Sequence, residues 1–158
     1  MKKKTTYDLR TERMDYIFDT HAHYDDEAFD ADREEVLTGL KKQGIGTVVN
    51  VGASIASTKT TLALAETHSF MYAAVGVHPN ETAELTDADM KWLESLAENP
   101  KVVAIGEIGL DYYWDEPERE IQKHWFSAQL AIAKKTGLPV IIHSRDAAKD
   151  TLDIMKVE

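Results

Sequence analysis

Short apolar runs alternate with longer helical patterns from Tyr16 to the end of the chain, and this alternation constrains the fold most. Alternation of this kind predicts parallel strands joined by helical crossovers. Runs such as residues 102–105 are apolar on both faces, as buried parallel strands require. The predicted strands are residues 16–23, 47–52, 71–78, 102–109 and 139–144, and the predicted helices are residues 30–43, 54–67, 87–98 and 118–136, with a fifth from about Asp146.

Composition limits the class of protein. A chain of 158 residues with this content of apolar residues is expected to form one domain with its own core. It has no cysteine, which excludes disulfides and thiolate metal sites. The basic start lacks the apolar segment of a secretory signal, and no apolar run is long enough to span a bilayer, so we expect a cytoplasmic protein without membrane contact.

The ends of the chain and its charge lead to two further expectations. Residues 1–14 are polar and without period, and Met14 lies just before the first predicted strand; we expect a disordered extension or a misassigned start, with residues 15–158 as the folded domain. The formal net charge of −10 opposes non-specific binding to a polyanion. A phosphodiester substrate would therefore need local positive charge, which bound metal ions can supply.

The conspicuous polar residues decide between the two folds that strand–helix alternation allows. A doubly wound sheet places its ligand in one crevice, often beside a glycine-rich phosphate loop, and no such loop is present. A (β/α) barrel builds its site from the carboxyl ends of several strands. The polar residues follow that second pattern, because they end four different predicted strands: His21, His23, His78, Glu107, Asp111, His143 and Arg145. We therefore predict an α/β fold of the TIM-barrel type.

Several of these side chains have the chemistry of metal ligands. Asp19, His21 and His23 alternate along one strand and share a face. Glu107 and His143 end the fourth and fifth strands, at the same rim. Imidazole and carboxylate ligands suit Zn²⁺, Mn²⁺ or Mg²⁺, so a divalent metal site is predicted at this rim.

Other polar and aromatic residues carry weaker predictions. His68 and His124 lie in helical stretches and are expected to be packing or solvated residues. The aromatic group at residues 112–114 could serve packing or substrate stacking, and both possibilities stay open. A set of acids between the first strand and first helix is expected to be solvated: Asp25, Asp26, Glu27, Asp30 and Asp32.

Four motifs, in order along the chain, resemble one known family. They are Asp19-Thr20-His21-Ala22-His23, Gly76-Val77-His78-Pro79, Gly106-Glu107-Ile108-Gly109-Leu110-Asp111-Tyr112-Tyr113 and Leu138-Pro139-Val140-Ile141-Ile142-His143-Ser144-Arg145. They are similar to the motifs of the TatD-type metal-dependent deoxyribonucleases of the amidohydrolase-like superfamily. The resemblance implies a (β/α)₈ barrel that hydrolyses DNA phosphodiesters with two divalent metal ions, Mg²⁺, Mn²⁺ or Zn²⁺.

The resemblance also implies a role for each matching residue. His21 and His23 would hold one metal, Glu107 would bridge both metals as the central catalytic residue, and His143 would bind the second. Asp19 would support the ligands without binding metal itself. The residues facing the substrate phosphate would be His78, Tyr112 and Arg145.

The chain departs from the family in length. A complete barrel takes about 250 residues, whereas only five of eight strands are predicted here, and the His and Asp motifs expected on strands six and seven have no counterpart. We expect open edges at the first and last strands, able to self-associate or to receive a missing C-terminal half. Two alternatives remain: hydrolysis of another ester or amide, such as D-aminoacyl-tRNA deacylation, and a non-catalytic half-barrel that oligomerises.

Overall fold

A computed structural model describes residues 16–158 and shows five parallel strands in one curled sheet. The strands are β1 (Ile17–Ala22), β2 (Ile45–Val51), β3 (Met71–Val75), β4 (Val102–Asp111) and β5 (Val140–Arg145). Each strand pairs with the next one in sequence, in the order β1-β2-β3-β4-β5. A doubly wound sheet would reverse direction at a switch point. The sequential order therefore confirms the predicted barrel type, of which these strands form a half-barrel.

Five α-helices connect or follow the strands: α1 (Arg33–Gly39), α2 (Ile55–Thr67), α3 (Asp87–Leu96), α4 (Arg119–Thr136) and α5 (Ala148–Val157). Local caps define several of their ends. The Ser54 hydroxyl accepts the amide of Ser57 at the start of α2, and Thr86 forms a capping box with Asp89 at the start of α3. Gly137 ends α4 in the left-handed conformation, as a helix C-terminus favours.

The first helical region differs from its prediction as one helix over residues 30–43. A 3₁₀ turn at Glu27–Phe29 precedes α1, and a second at Leu40–Gln43 follows it. The Arg33 guanidinium donates to the carbonyls of Tyr24 and Asp26, at 2.7 and 3.0 Å. These bonds turn the preceding loop back over the helix start, so the helix begins later than the apolar period suggested.

Apolar side chains pack on both sides of the sheet, as the near-continuous apolar strands require. The larger cluster lies between the sheet and the helices and includes Val48, Ile105 and Phe126. The smaller cluster holds Val49, Val51, Ala74 and Ala104, whose side chains point to the opposite face. The site is therefore built on strands fixed from both faces.

The outer strands β1 and β5 form the edges of the described sheet. On β1 and just before it, Tyr16, Ile17 and Phe18 are exposed. Among residues 16–158, no helix combines the length and apolarity needed to cross a membrane. The predictions for residues 1–14 lie outside the described part of the chain, and the single domain over residues 15–158 stays a prediction.

Candidate metal centre

The strand ends bring the four predicted metal ligands together around Glu107. Its carboxylate lies 3.5 Å from His21 Nε2 and 4.0 Å from His23 Nε2 through Oε2, and 3.2 Å from His143 Nδ1 through Oε1. Only 13% of the Glu107 side chain is exposed. One carboxylate therefore faces a histidine pair on one side and a single histidine on the other.

The histidine pair projects from β1. His21 and His23 lie two residues apart, and their Nε2 atoms converge to 3.1 Å. The Nδ1–H of His23 donates to the Val51 carbonyl at 2.8 Å, which leaves its Nε2 lone pair directed at the site. Asp19 Oδ1 accepts the amide of His21 at 3.2 Å and thus holds the local backbone.

His143 on β5 lies between two carboxylates of β4. Its Nδ1 contacts Glu107, and its Nε2–H donates to Asp111 Oδ2 at 3.0 Å. Asp111 is itself buried and accepts the amides of Tyr113 and Trp114 at 3.0 and 3.2 Å. A carboxylate behind a ligand histidine fixes the ring and its tautomer. Asp111 was not predicted to act in the metal centre, although its place at the same strand end was a signal.

The backbone between Glu107 and Asp111 requires glycine at one position. Gly109 pairs with His143 in the sheet and has φ of +149°, which side chains rarely adopt. A Cβ there would lie 1.9 Å from the His143 carbonyl oxygen. This close approach of the two backbones fixes the positions of Glu107 on β4 and His143 on β5 relative to each other.

The charges in the site are mutually dependent. Burial alone would raise the pKa of Glu107, but the hydrogen bond from His143 and the nearby charge of His21 lower the pKa below its usual value. The hydrogen bond to Glu107 raises the pKa of His143 against the opposing effect of burial, and Asp111 adds to this rise. The two carboxylates therefore favour the charged form of His143.

His78 completes the site from the end of β3. Its ring centroid lies 4.1 Å from that of His143, and its Nδ1 accepts the amide of Asn80 at 3.3 Å. Burial and the charge of His143 lower the pKa of His78 to about 4. His78 is therefore neutral near pH 7 and presents an uncharged imidazole to the same space.

The donor set fits divalent cations. Ligand atoms of His21, His23 and Glu107 all lie within 4.8 Å of one another, as do those of His78, Glu107 and His143. Glu107 belongs to both groups, and a carboxylate can give one oxygen to each of two cations. Neutral imidazoles and a carboxylate are the ligands that Zn²⁺ and Mn²⁺ accept.

Two residues predicted to face a phosphate have other contacts here. The Tyr112 hydroxyl donates to Asp150 of α5 at 2.8 Å, away from Glu107. The Arg145 guanidinium lies 3.8 Å from the ring centre of Tyr113. Their roles toward substrate stay predictions, and of the two only Arg145 has an exposed side chain at the rim.

A cleft of about 430 Å³ opens beside the histidines, lined among others by His23, His78 and Glu107. Asp25 also lines this cleft, although it was predicted to be solvated. Its carboxylate accepts from Asn50 Nδ2 at 2.7 Å and from the Ser57 hydroxyl. These partners come from β2 and α2, so the sequence near Asp25 carried no signal for them.

A sequential parallel half-barrel whose rim gathers histidines and a shared carboxylate defines an α/β protein of the TIM-barrel type with a candidate metal centre. The chain belongs to the TatD family: the family described as "TatD related DNase" matches residues 18–158. This match confirms the family that the four sequence motifs indicated.

Relatives support the same family. The chain is 43% identical over 142 residues to the uncharacterized metal-dependent hydrolase YabD of Bacillus subtilis, covering 90% of this chain and 56% of YabD. It is 36% identical to the 3′-5′ ssDNA/RNA exonuclease TatD of Musicola paradisiaca, covering 83% of this chain and 50% of that one. The crystal structure of the TatD homologue YjjV of Escherichia coli superposes with a TM-score of 0.83 at 35% identity, covering 91% of this chain and 56% of YjjV. The chain thus spans about half the length of these relatives.

Proposed function

We propose that this protein hydrolyses phosphodiester bonds of DNA with the help of two divalent metal ions, Mg²⁺, Mn²⁺ or Zn²⁺. The observation that carries the proposal is the shared carboxylate of Glu107, which belongs to both groups of candidate ligands. His21 and His23 would hold one cation with Glu107, and His143 would hold the other. Paired cations of this kind acidify a water and stabilise the attacking and leaving oxygens of a phosphoryl displacement.

The chain's own residues prepare this site. Glu107 keeps a lowered pKa, so its carboxylate is ionised near pH 7. Asp111 holds the His143 ring with Nδ1 toward Glu107. Because Nδ1 of His78 accepts the Asn80 amide, the neutral imidazole can donate a hydrogen bond from Nε2–H to a substrate oxygen without adding charge. We assign substrate contacts to His78, Tyr112 and Arg145.

Nucleic acid as the substrate is supported by the relatives named 3′-5′ ssDNA/RNA exonucleases. The net charge of −10 makes a basic docking surface an unsuitable explanation, so attraction to phosphate must arise locally. Cations held between His21, His23, Glu107 and His143 would supply that local charge. A cytoplasmic site of action is part of the same proposal.

The test compares Glu107→Gln with the wild-type protein. We expect metal-dependent hydrolysis of single-stranded DNA to fall by about 10²-fold or more, because the variant loses the negative charge and one of the two carboxylate oxygens that would each face a cation. Glu94→Gln removes an acid that pairs with Lys135 on the helical exterior and is the matched control. A panel containing DNA, RNA and D-aminoacyl-tRNA, each with Mg²⁺, Mn²⁺ and Zn²⁺, identifies the substrate class. Undiminished hydrolysis by Glu107→Gln would remove the assignment.

We further propose that the open edges at β1 and β5 pair with additional strands. The exposed side chains of Ile17 and Phe18 on β1 support this proposal, because an exposed apolar edge strand is a template for strand addition. Light scattering checks it for self-association. A monodisperse monomer at all concentrations would count against pairing between copies.

A further inference from the structure

The loop that follows β4 presents two large aromatic side chains to solvent. Tyr113 is 55% exposed and Trp114 is 63% exposed. Glu107 and Asp111 lie on the strand that leads into this loop, so the aromatics stand beside the candidate metal centre. Exposed large aromatics at a functional rim call for an explanation, since burial would stabilise them better.

The loop is held in place at several points. Asp111 Oδ1 accepts the backbone amides of both aromatic residues. Asn80 Nδ2 donates to the Glu116 carbonyl at 2.7 Å, and Arg119 binds Asp115 at 2.7 Å. Both aromatic rings are therefore displayed by a braced backbone, which reduces the entropy lost when a ligand packs on them.

A concave surface connects this loop to the metal centre. Asn80, Trp114 and Glu116 line a cavity of about 290 Å³. Asn80 also lines the cleft that contains His23, His78 and Glu107. Both spaces are lined by Asn80, so a ligand anchored between the histidines can extend past Asn80 to reach the Trp114 ring.

Positive charge lies next to this loop, at the end of β5. The Arg145 guanidinium stacks on Tyr113 at 3.8 Å from the ring centre, and within residues 16–158 it forms no ion pair. Exposed aromatic rings together with a cationic side chain are the combination that single-stranded nucleic-acid sites use for bases and phosphates. Tyr113 thus positions Arg145, while Trp114 offers an aromatic face.

We propose that Trp114 forms a nucleobase-stacking subsite, with Asn80 and Glu116 as its walls, for an unpaired base next to the scissile phosphate. This inference rests on the proposed function as a nuclease and specifies its substrate. A base within a duplex is stacked on both faces by its neighbours and cannot cover Trp114. The subsite therefore selects single-stranded nucleic acid over duplex.

The experiment measures binding of labelled phosphorothioate oligonucleotides, which resist cleavage, in the presence of Mg²⁺. Wild type is compared with Trp114→Ala, with Trp114→Phe as the conservative variant, and with Leu152→Ala, which trims an exposed apolar side chain of α5. The probes are one single strand, its blunt duplex and a series with one abasic residue moved along the strand. Circular dichroism checks that each variant folds.

We expect Trp114→Ala to weaken single-strand binding by about 5- to 100-fold, the range that follows from loss of one base–aromatic stack. Trp114→Phe should recover most of the affinity, and Leu152→Ala should match wild type. An abasic residue at one position of the strand should weaken binding to wild type to a similar extent, and it should leave the affinity of Trp114→Ala unchanged.

The possible failures are separable. If wild type binds none of the single strands, the proposed nuclease function is overturned together with the subsite. If wild type binds but Trp114→Ala binds equally well, the subsite alone is overturned. The subsite alone is also overturned if, at every position along the strand, the abasic probe weakens binding to Trp114→Ala as much as it weakens binding to wild type.

Discussion

The two walls of the metal centre are built in different ways. On the β1 wall, His21 and His23 belong to an edge strand, and their side chains are 38% and 39% exposed. On the β4–β5 wall, His143 is 21% exposed and Asp111 is 2% exposed. On the first wall, the histidines are placed by the alternation of side chains along the strand and by the Val51 carbonyl. On the second wall, His143 is held by the buried side chain of Asp111.

The difference shows where the site is rigid before any cation binds. The Asp111 carboxylate has hydrogen bonds to two loop amides and to His143. The Gln122 side chain also bonds the backbone amide and the backbone carbonyl of Asp111. The ring of His21 contacts His23 and Glu107, which are candidate ligands themselves, and Asp19 holds only its backbone amide. We therefore expect substitutions on the β4–β5 wall to have larger effects than equivalent ones on the β1 wall.

The largest effect is expected from a pair of glycine substitutions, one for each wall. Gly109→Ala would force a Cβ to 1.9 Å from the His143 carbonyl at a φ of +149°. We expect the free energy of unfolding to fall by about 3 kcal/mol or more, from strain and overpacking together. Chemical denaturation of the metal-free wild type and variant measures this loss in the free energy of unfolding.

Gly46→Ala is the counterpart for the β1 wall, because Gly46 lies on β2 against Tyr16, the residue that precedes β1. Its added Cβ would meet Tyr16 Cβ at 2.7 Å, but Tyr16 is exposed and can move outward. We expect a loss of about 1 kcal/mol. Equal losses for the two variants would contradict the difference in rigidity between the walls.

A smaller effect is expected from Asp111→Asn, which tests the support of His143. The amide nitrogen would face His143 Nε2 as a second donor, so the ring would favour the tautomer with its proton on Nδ1. We expect metal affinity of the Glu107–His143 group to fall by about 10- to 100-fold. Calorimetric titration with Zn²⁺ measures the affinity, and ¹⁵N NMR of His143 reports the tautomer.

The matched control for Asp111→Asn is Asp115→Asn. Asp115 lies in the same loop but is exposed and pairs with Arg119. In Asp111→Asn, only the binding event at the Glu107–His143 group should weaken, and the His21–His23 group should keep its affinity. In Asp115→Asn, both binding events should keep their wild-type affinity. A uniform loss in both events, or an unchanged His143 tautomer, would show that Asp111 does not position the ring.

The same contrast explains what could be predicted from the sequence. The order of strands and helices follows from apolar runs and caps, and the convergence of the four candidate ligands follows from their places at strand ends, so both could be predicted. That these four residues bind metal stays a prediction. The partnership of Asp111 with His143 depends on the register of β4 and β5, in which Gly109 lies opposite His143. The hydrogen bonds of Asp25 join it to Asn50, which is 25 positions away in the sequence, and to Ser57, which is 32 positions away. Neither has a local pattern, because both arise only when the strands pair.

The smallest expected effect concerns the outer support of the β4–β5 wall, where Tyr112 binds Asp150. Burial, together with the hydrogen bond to Asp150, raises the pKa of Tyr112 to about 12. Because the folded pKa lies above the ordinary value of 10.0, this contact stabilises the fold below pH 10 and is lost as pH rises toward 12.

Asp150→Asn should lower the pKa of Tyr112 part of the way toward its ordinary value, since burial of the ring remains. Alkaline unfolding should then begin at a lower pH. The ultraviolet absorbance of phenolate, taken as a difference against the same protein with Tyr112→Phe, follows this single titration. Asp153→Asn is the control, because Asp153 pairs with Lys149 and not with Tyr112. If Tyr112 titrates at the same pH with and without Asp150, the link between the β4 loop and α5 contributes nothing, and the rigidity of this wall rests on Asp111 and Gln122 alone.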